Sequence, residues 1–205
     1  MVLVLNFGAG NIGSIYNMLC RIGAAPLVSS SPEDVLRARK IILPGVGAFD
    51  AGMSGLESAG LIPALRRRVL DDGVPLLGLC LGMQMLMSGS EEGQRNGLGW
   101  IEGEVVRFQA TARFPKLKIP HMGWNIVHSK SAEGFFSGME KDARFYFAHS
   151  YHVLCRDEQD VLAVAAHGGE FVAAVQRKNV MGVQFHPEKS HRFGMQLLKN
   201  FVKEV

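Results

Sequence analysis

The segment Gly78-Leu79-Cys80-Leu81-Gly82 sets a thiol between two glycines, with an apolar run (74–79) before it and an apolar helical pattern (81–87) after it. This is the G-x-nucleophile-x-G form of a sharp strand-to-helix turn. The nucleophile sits there in an unfavourable backbone conformation, and a side chain two residues away on either side would collide. A cysteine at the start of a helix also faces unpaired N–H groups and the positive end of the dipole, which favour the thiolate. The Leu81 amide points at the place where a substrate oxyanion would form. Cys20 and Cys155 have no such setting and are expected to pack in the core.

A thiol nucleophile needs a base and a group to orient that base. In VMGVQFHPEKS, His186 stands just past an apolar run and Glu188 follows two residues later. Pro187 stiffens the turn between them, so the carboxylate reaches the far imidazole nitrogen and fixes its tautomer. His149, at the end of another apolar run, is expected to line the same pocket. His121, His128, His152, His167 and His191 read as structural or exposed. After the run Lys40–Leu43 comes Pro44-Gly45-Val46-Gly47, a rigid turn whose backbone amides complete an oxyanion hole with Leu81. These groups specify acyl transfer from a small amide or ester through a thioester.

Such groups must be carried by a scaffold that gathers them. Strand-like runs recur at Val2–Leu5, Pro26–Ser29, Lys40–Leu43, 74–79, 144–148, Val161–Ala166, 171–176 and 180–185. Helical patterns at 12–22, 31–38, 61–71, 81–87 and 193–202 alternate with the early runs, which predicts a parallel sheet covered on both faces. Loops that leave the carboxyl ends of such strands are where ligands bind. From about Gly99 the texture turns to strand-like pieces punctuated by glycine and proline, expected as antiparallel strands added to the sheet. The expectation is one α/β domain over 1–205, a three-layer sandwich around a mostly parallel sheet.

Composition excludes several classes. The net charge of +3 is spread along the chain, and Arg66-Arg67-Arg68 is followed at once by Asp71-Asp72, the solvated face of one helix rather than a nucleic-acid patch. Three widely spaced cysteines without C-x-x-C argue against a disulfide framework or a zinc site. They favour a reducing, cytoplasmic setting. No apolar stretch approaches membrane-spanning length, and the mean hydropathy is +0.11. Gly8, Gly10 and Gly13 have G-x-G-x-x-G spacing after the first strand. The acidic residue that a dinucleotide ribose requires is missing, because the second strand ends in Ser29-Ser30-Ser31 and Glu33 and Asp34 belong to the next helix's first turn. Phosphate binding at that helix start, or a structural or docking turn, stays open.

Taken together, LPGVGAFDAGM, LGLCLGMQML, IPHMGWN, FYFAHSYHV and GVQFHPEKS resemble the triad-type glutamine amidotransferases essentially end to end. PHMGWN with HPEKS narrows the resemblance to the subunits serving imidazole glycerol phosphate synthesis in histidine formation. The resemblance implies a flavodoxin-like class I amidotransferase fold with no cofactor and no metal. Cys80 would be the nucleophile on the side-chain amide of L-glutamine, His186 the acid and base, and Glu188 its orienting partner. The turn containing Gly45, Val46 and Gly47 would pair with Leu81 at the oxyanion. Gln84 would hold the substrate beside the strand bearing His149, Ser150 and Tyr151.

The resemblance also implies a cyclase partner with a (β/α)₈ barrel that receives the ammonia in a heterodimer, with Asn11, Trp124, Tyr146 and Lys189 at the interface. The first glycine turn would then belong to the docking face, and the subunit alone would be nearly inactive. Trp100, where a smaller apolar residue is expected, and a longer, more basic QATARFPKLK depart from the pattern. They leave open a paralogous role supplying ammonia to a different acceptor, such as a surface-polysaccharide sugar.

Overall fold

The computed structural model describes residues 1–131 and 133–203. The strands are β1 (Val2–Leu5), β2 (Pro26–Ser29), β3 (Lys40–Leu43), β4 (Leu76–Leu79), β5 (Gly89–Ser90), β6 (Gly103–Arg107) and β7 (His121–Ile126). They continue as β8 (His128–Ser129), β9 (Arg144–His149), β10 (Tyr151–Cys155), β11 (Val161–Ala166), β12 (Glu170–Arg177) and β13 (Val180–Val183). The helices are α1 (Ile12–Arg21), α2 (Pro32–Arg37), α3 (Phe49–Ser58), α4 (Leu61–Arg66), α5 (Leu81–Gln84) and α6 (His191–Lys203).

The main sheet runs β2-β1-β3-β4-β13-β12-β10-β6-β5, with β11 on β12 and β8 on β11. Pairing is parallel from β2 through β13, then antiparallel across β12, β10 and β6. The continuous apolar runs of the parallel half reflect burial on both faces. Val2, Val4, Ile42 and Leu77 face one core with Ile15 and Leu19 of α1 and Leu197, Leu198 and Phe201 of α6. Leu3, Leu5, Ile41 and Leu76 face the other, with Val35 of α2, Phe49 and Met53 of α3, and Leu61 and Leu65 of α4. The expected α/β three-layer architecture is present.

Several expectations need correction. Strands β7 and β9 form a separate two-stranded sheet instead of joining the main one. The pattern at 61–71 divides into α4 and a π-helical turn, Arg67–Asp71. Arg66 and Arg67 are exposed, as expected of a solvated face, while Arg68 turns to bond Asp72 at 3.0 Å and the Ala38 carbonyl at 2.8 Å. The pattern at 81–87 yields a single helical turn. Helix α3 has no helical pattern in the sequence, because FDAGMSGLES carries two glycines that lower helix propensity. Tertiary packing reverses that preference: a Cβ on Gly52 would lie 2.7 Å from Met85 Sδ, and one on Gly55 would lie 2.8 Å from the Phe7 carbonyl oxygen. Cys20 is exposed and so is no core cysteine, whereas half-buried Cys155 packs against the second core. Among the described residues no helix is long and apolar enough to cross a membrane.

The register of the parallel half sets the functional edge. Leu43 lies opposite Gly78, and Leu79 opposite Val183. The segments that follow β3, β4 and β13 therefore leave the sheet side by side at its carboxyl end. The 3₁₀ turn Pro187–Lys189 is locked from two sides. Ser190 Oγ donates to the His186 carbonyl at 2.6 Å and accepts from the Tyr146 amide at 3.0 Å. Helix α6 presses on the turn through Gly194, where a Cβ would collide with the Pro187 carbonyl oxygen.

Gly194→Ala is therefore expected to push this turn off α6 and to cost about 1–3 kcal/mol, as overpacking does. Thermal unfolding checks this, and a melting temperature equal to wild type would contradict the packing described.

Candidate active site

Cys80 adopts φ 53°, ψ −108°, one of the few positive-φ non-glycine residues in the described chain. Such a conformation persists only where its surroundings over-determine it. The Cys80 amide donates to Val183 at 2.8 Å, while its carbonyl accepts from Met83 and Gln84. A Cβ on Gly78 would lie 2.6 Å from the Gly82 carbonyl oxygen, and one on Gly82 would overlap the Leu43 carbonyl. The two flanking glycines are thus steric requirements of the turn. Because α5 is only one turn long, its dipole contributes less to the thiolate than the sequence suggested. Side-chain partners must contribute the rest.

His186 is the principal partner. Its Nδ1 lies 2.9 Å from Glu188 Oε1, and its imidazole also hydrogen-bonds Cys80. Both side chains are almost wholly buried. Burial alone would drive the imidazole pKa down, and it is the largest single influence. The hydrogen bonds and charges of Cys80 and Glu188 together outweigh it and raise the pKa to about 10. Glu188 Oε2 is buried without a hydrogen-bond partner among the described residues, so the imidazolium is the neighbour that balances this carboxylate.

A cavity of about 330 Å³ opens over the thiol. Of the predicted substrate and oxyanion residues, Val46, Gly47, Leu81, Gln84, His149, Ser150 and Tyr151 all line it, with Cys80 and His186. Gly47 has φ +101°, a conformation in which peptide orientation is set by a glycine. Gly45 is the exception. It packs beneath the elbow, where a Cβ would come within 2.7 Å of the Gly82 amide, so its contribution is close packing and not cavity lining. Glu188 supports His186 from behind, outside the cavity lining.

Pattern reading missed four wall residues: Glu92, Pro120, Met122 and Ala148. Ala148 lay inside a recognised strand. Glu92 sits in an unpatterned turn, and only the fold shows that its carboxylate accepts from the Phe49 amide at 2.9 Å to cap α3.

The residues assigned to an interface fall near the mouth in part. Lys189 lines the cavity and lies 5.6 Å over the Tyr146 ring. Trp124 is half exposed, edge-on to Tyr146 and stacked on His191 at 5.5 Å. Asn11 is the N-cap residue of α1 and makes no side-chain cap bond.

Sequence reading gave four other histidines no joint role, yet His121, His149, His152 and His167 gather around Phe108. His121 Nδ1 lies 3.0 Å from His149 Nε2, a pair set directly opposite each other by the β7–β9 register. Burial first, then the neighbouring imidazoles, lowers His121 to about 4 and His149 to about 3. Both are therefore neutral at physiological pH. No group of His, Cys, Asp or Glu among the described residues is arranged to hold a metal ion.

Comparison with known proteins places this arrangement. Residues 3–205 match the family model described as glutamine amidotransferase class-I. The chain is 51% identical over 205 residues to imidazole glycerol phosphate synthase subunit HisH 2 of Pseudomonas aeruginosa, covering all of both chains. It is 46% identical, again over the whole of both, to the protein of the same name from Methanococcus maripaludis. Among solved structures, PurLQS from Thermotoga maritima superposes with a TM-score of 0.72 at 20% identity, covering 98% of this chain and 96% of that one, a likeness of fold.

The raised pKa of His186 carries a stability consequence. The imidazole holds its proton more tightly folded (about 10) than unfolded (about 6.5), so its stabilisation is complete below pH 6.5 and lost as pH rises through 10. Glu188→Gln weakens that hold. The stability gap between wild type and variant is expected to be about 2 kcal/mol near pH 6.5 and to shrink towards pH 10. Urea unfolding at pH 6.5, 8 and 10 measures it, and a gap independent of pH would exclude the charged pair.

Proposed function

The chain belongs to the class-I glutamine amidotransferase family, and from that membership we propose how its residues act. It is a glutaminase subunit that hydrolyses L-glutamine to glutamate and ammonia. It passes the ammonia to a cyclase subunit that forms imidazole glycerol phosphate and AICAR in histidine biosynthesis. The observation that carries this is the Cys80–His186–Glu188 arrangement at the floor of a cavity sized for one small amino acid.

Cys80 Sγ attacks the carboxamide carbon of glutamine, and the carbonyl oxygen takes up negative charge. The Leu81 amide and the amides of the Val46–Gly47 turn, all of which line the cavity, are the donors proposed for that oxygen. His186, protonated, gives its proton to the departing nitrogen, so ammonia leaves and a thioester remains. A water then adds to the thioester carbon while His186 takes its proton. Collapse frees glutamate and restores the thiolate–imidazolium pair. Glu188 holds Nδ1 throughout, so only Nε2 is available for proton transfer. Both hydrogens of the Gln84 amide nitrogen are directed to protein oxygens, at Tyr151 and Gln184, which leaves Oε1 as an acceptor. With the Glu92 carboxylate on the wall, it suits the α-ammonium group of a free amino acid better than a peptide.

Ammonia in water at neutral pH is protonated and has lost its nucleophilic lone pair, so transfer demands a docked acceptor. Exposed Val46, Met122 and Trp124 at or beside the mouth, with Lys189 and Tyr146, form the surface proposed to meet a (β/α)₈ barrel cyclase. The three free thiols suit a reducing cytoplasm.

The purified chain is expected to release glutamate slowly alone and faster when a cyclase subunit loaded with its phosphorylated acceptor is added. Cys80→Ala should lower that stimulated rate by about 10⁴-fold or more. Retained glutaminase activity in Cys80→Ala would overturn the mechanism. Stimulation only by a different acceptor enzyme would reassign the pathway and leave the chemistry in place.

A further inference from the structure

Gln184 lies between β13 and His186, is fully buried, and enters the mechanism above only as an acceptor for Gln84. Its position follows from register: Leu79 and Val183 are partners in the parallel pair β4–β13, so the next residues, Cys80 and Gln184, emerge side by side. Gln184 Nε2 lies 3.7 Å from Cys80 Sγ. Its other end, Oε1, lies 3.0 Å from Gln84 Nε2, which also reaches the Tyr151 carbonyl oxygen at 3.2 Å.

The polarity of this chain is determined at one end. A backbone carbonyl accepts and never donates, so the Gln84 atom facing Tyr151 must be the amide nitrogen. That same nitrogen faces Gln184, which must answer with its oxygen. The Gln184 nitrogen is then left to direct a hydrogen at sulfur. The Tyr151 carbonyl is held from its other side by His149 Nδ1 at 2.7 Å. His149 Nε2 accepts from His121 Nδ1, and His121 Nε2 accepts from Asn125 Nδ2 at 3.2 Å. The Asn125 nitrogen is itself held by the Ala166 carbonyl at 2.8 Å. Each link admits one donor and one acceptor assignment, so the Tyr151 and Ala166 carbonyls orient the side chains of Asn125, His121, His149, Gln84 and Gln184.

We propose that Gln184 is a catalytic hydrogen-bond donor to the Cys80 thiolate, oriented for that role by Gln84 and the Tyr151 carbonyl. A donor aimed at sulfur stabilises the thiolate over the thiol. It does so from the sheet side, leaving the cavity side open for the substrate carbon. It also supplements the weak dipole of a one-turn helix. The proposal rests on Cys80 being the nucleophile.

Two variants of the full chain separate this role from simple packing. Gln184→Glu keeps the size and the acceptor for Gln84 but replaces the donor to sulfur by a carboxylate oxygen. Gln184→Met removes both polar ends. Alkylation of Cys80 by iodoacetamide is followed at pH 9, where the carboxyl is expected to be ionised, by mass analysis of the Cys80 peptide, since exposed Cys20 reacts as well. The Met variant is expected to react about tenfold more slowly than wild type, and the Glu variant more slowly still. In partner-stimulated turnover the Glu variant should lower kcat with KM little changed, whereas the Met variant, which also releases Gln84, should lower kcat and raise KM.

A purely structural role gives the opposite order, because only Met abandons Gln84. That order, or wild-type reactivity in both variants, would overturn the proposal. Should neither variant fold, the Gln184 side-chain amide resonances of the ¹⁵N-labelled wild-type chain are compared with those of Cys80→Ala. Unchanged shifts would overturn the donor role, and a shift supports it. Cys80→Ala with full glutaminase activity would instead remove the underlying mechanism, so the two failures remain distinguishable.

Discussion

The active-site geometry depends on one steric constraint, the reversal of the chain at Cys80 through a left-handed backbone conformation. It is held because β4 enters and α5 leaves within a space that admits no Cβ at Gly78 or Gly82. Adjacent strands in parallel register then bring β3 and β13 to the same edge. A strained residue of this kind costs of order 1–3 kcal/mol, and the two cores either side of the sheet hold it in place.

Electrostatics divides the site into two kinds of imidazole. His186 sits between a thiol and a buried carboxylate and is held protonated well above its usual range. His121 and His149 are buried among aromatic rings and one another and are held neutral. The same side chain therefore serves as a charge partner on one wall and as a neutral, tautomer-defined link on another. What separates them is the neighbour: a carboxylate at 2.9 Å against a ring nitrogen at 3.0 Å. The small β7–β9 sheet matters because it carries the neutral pair, and because Tyr146 on β9 bonds the His186 amide at 2.9 Å.

Much of this was legible in local sequence. G-x-C-x-G announces its turn because only glycine tolerates the crowding, and His-Pro-Glu announces a base with its orienting acid because two residues span the distance. Ser31 before Pro32, Glu33 and Asp34 marks the start of α2, and Ser31 does accept from the Glu33 amide. Helix α3 was illegible because its glycines are used for contact with Met85 and Phe7, which lie elsewhere in the chain. The histidine cluster was illegible because it draws on two sheets: the β7–β9 register sets His121 opposite His149, while His152 comes from β10 of the main sheet. Gln184, inside VQFHPE, looked like one more residue at a strand end.

The sequence by itself determined the chemistry: a thiol, a base and an acid at spacings that only a strand–turn–helix and a short stiff turn can satisfy. It also determined the layered fold, through continuous apolar runs alternating with amphipathic helices. Tertiary structure alone decided which polar groups face the sulfur, which histidines carry a proton, and that Gly45 supports the elbow and does not line the cavity. Those outcomes depend on register between distant strands and on burial, which set dielectric and hydrogen-bond direction. Neither is a property of any local stretch of residues.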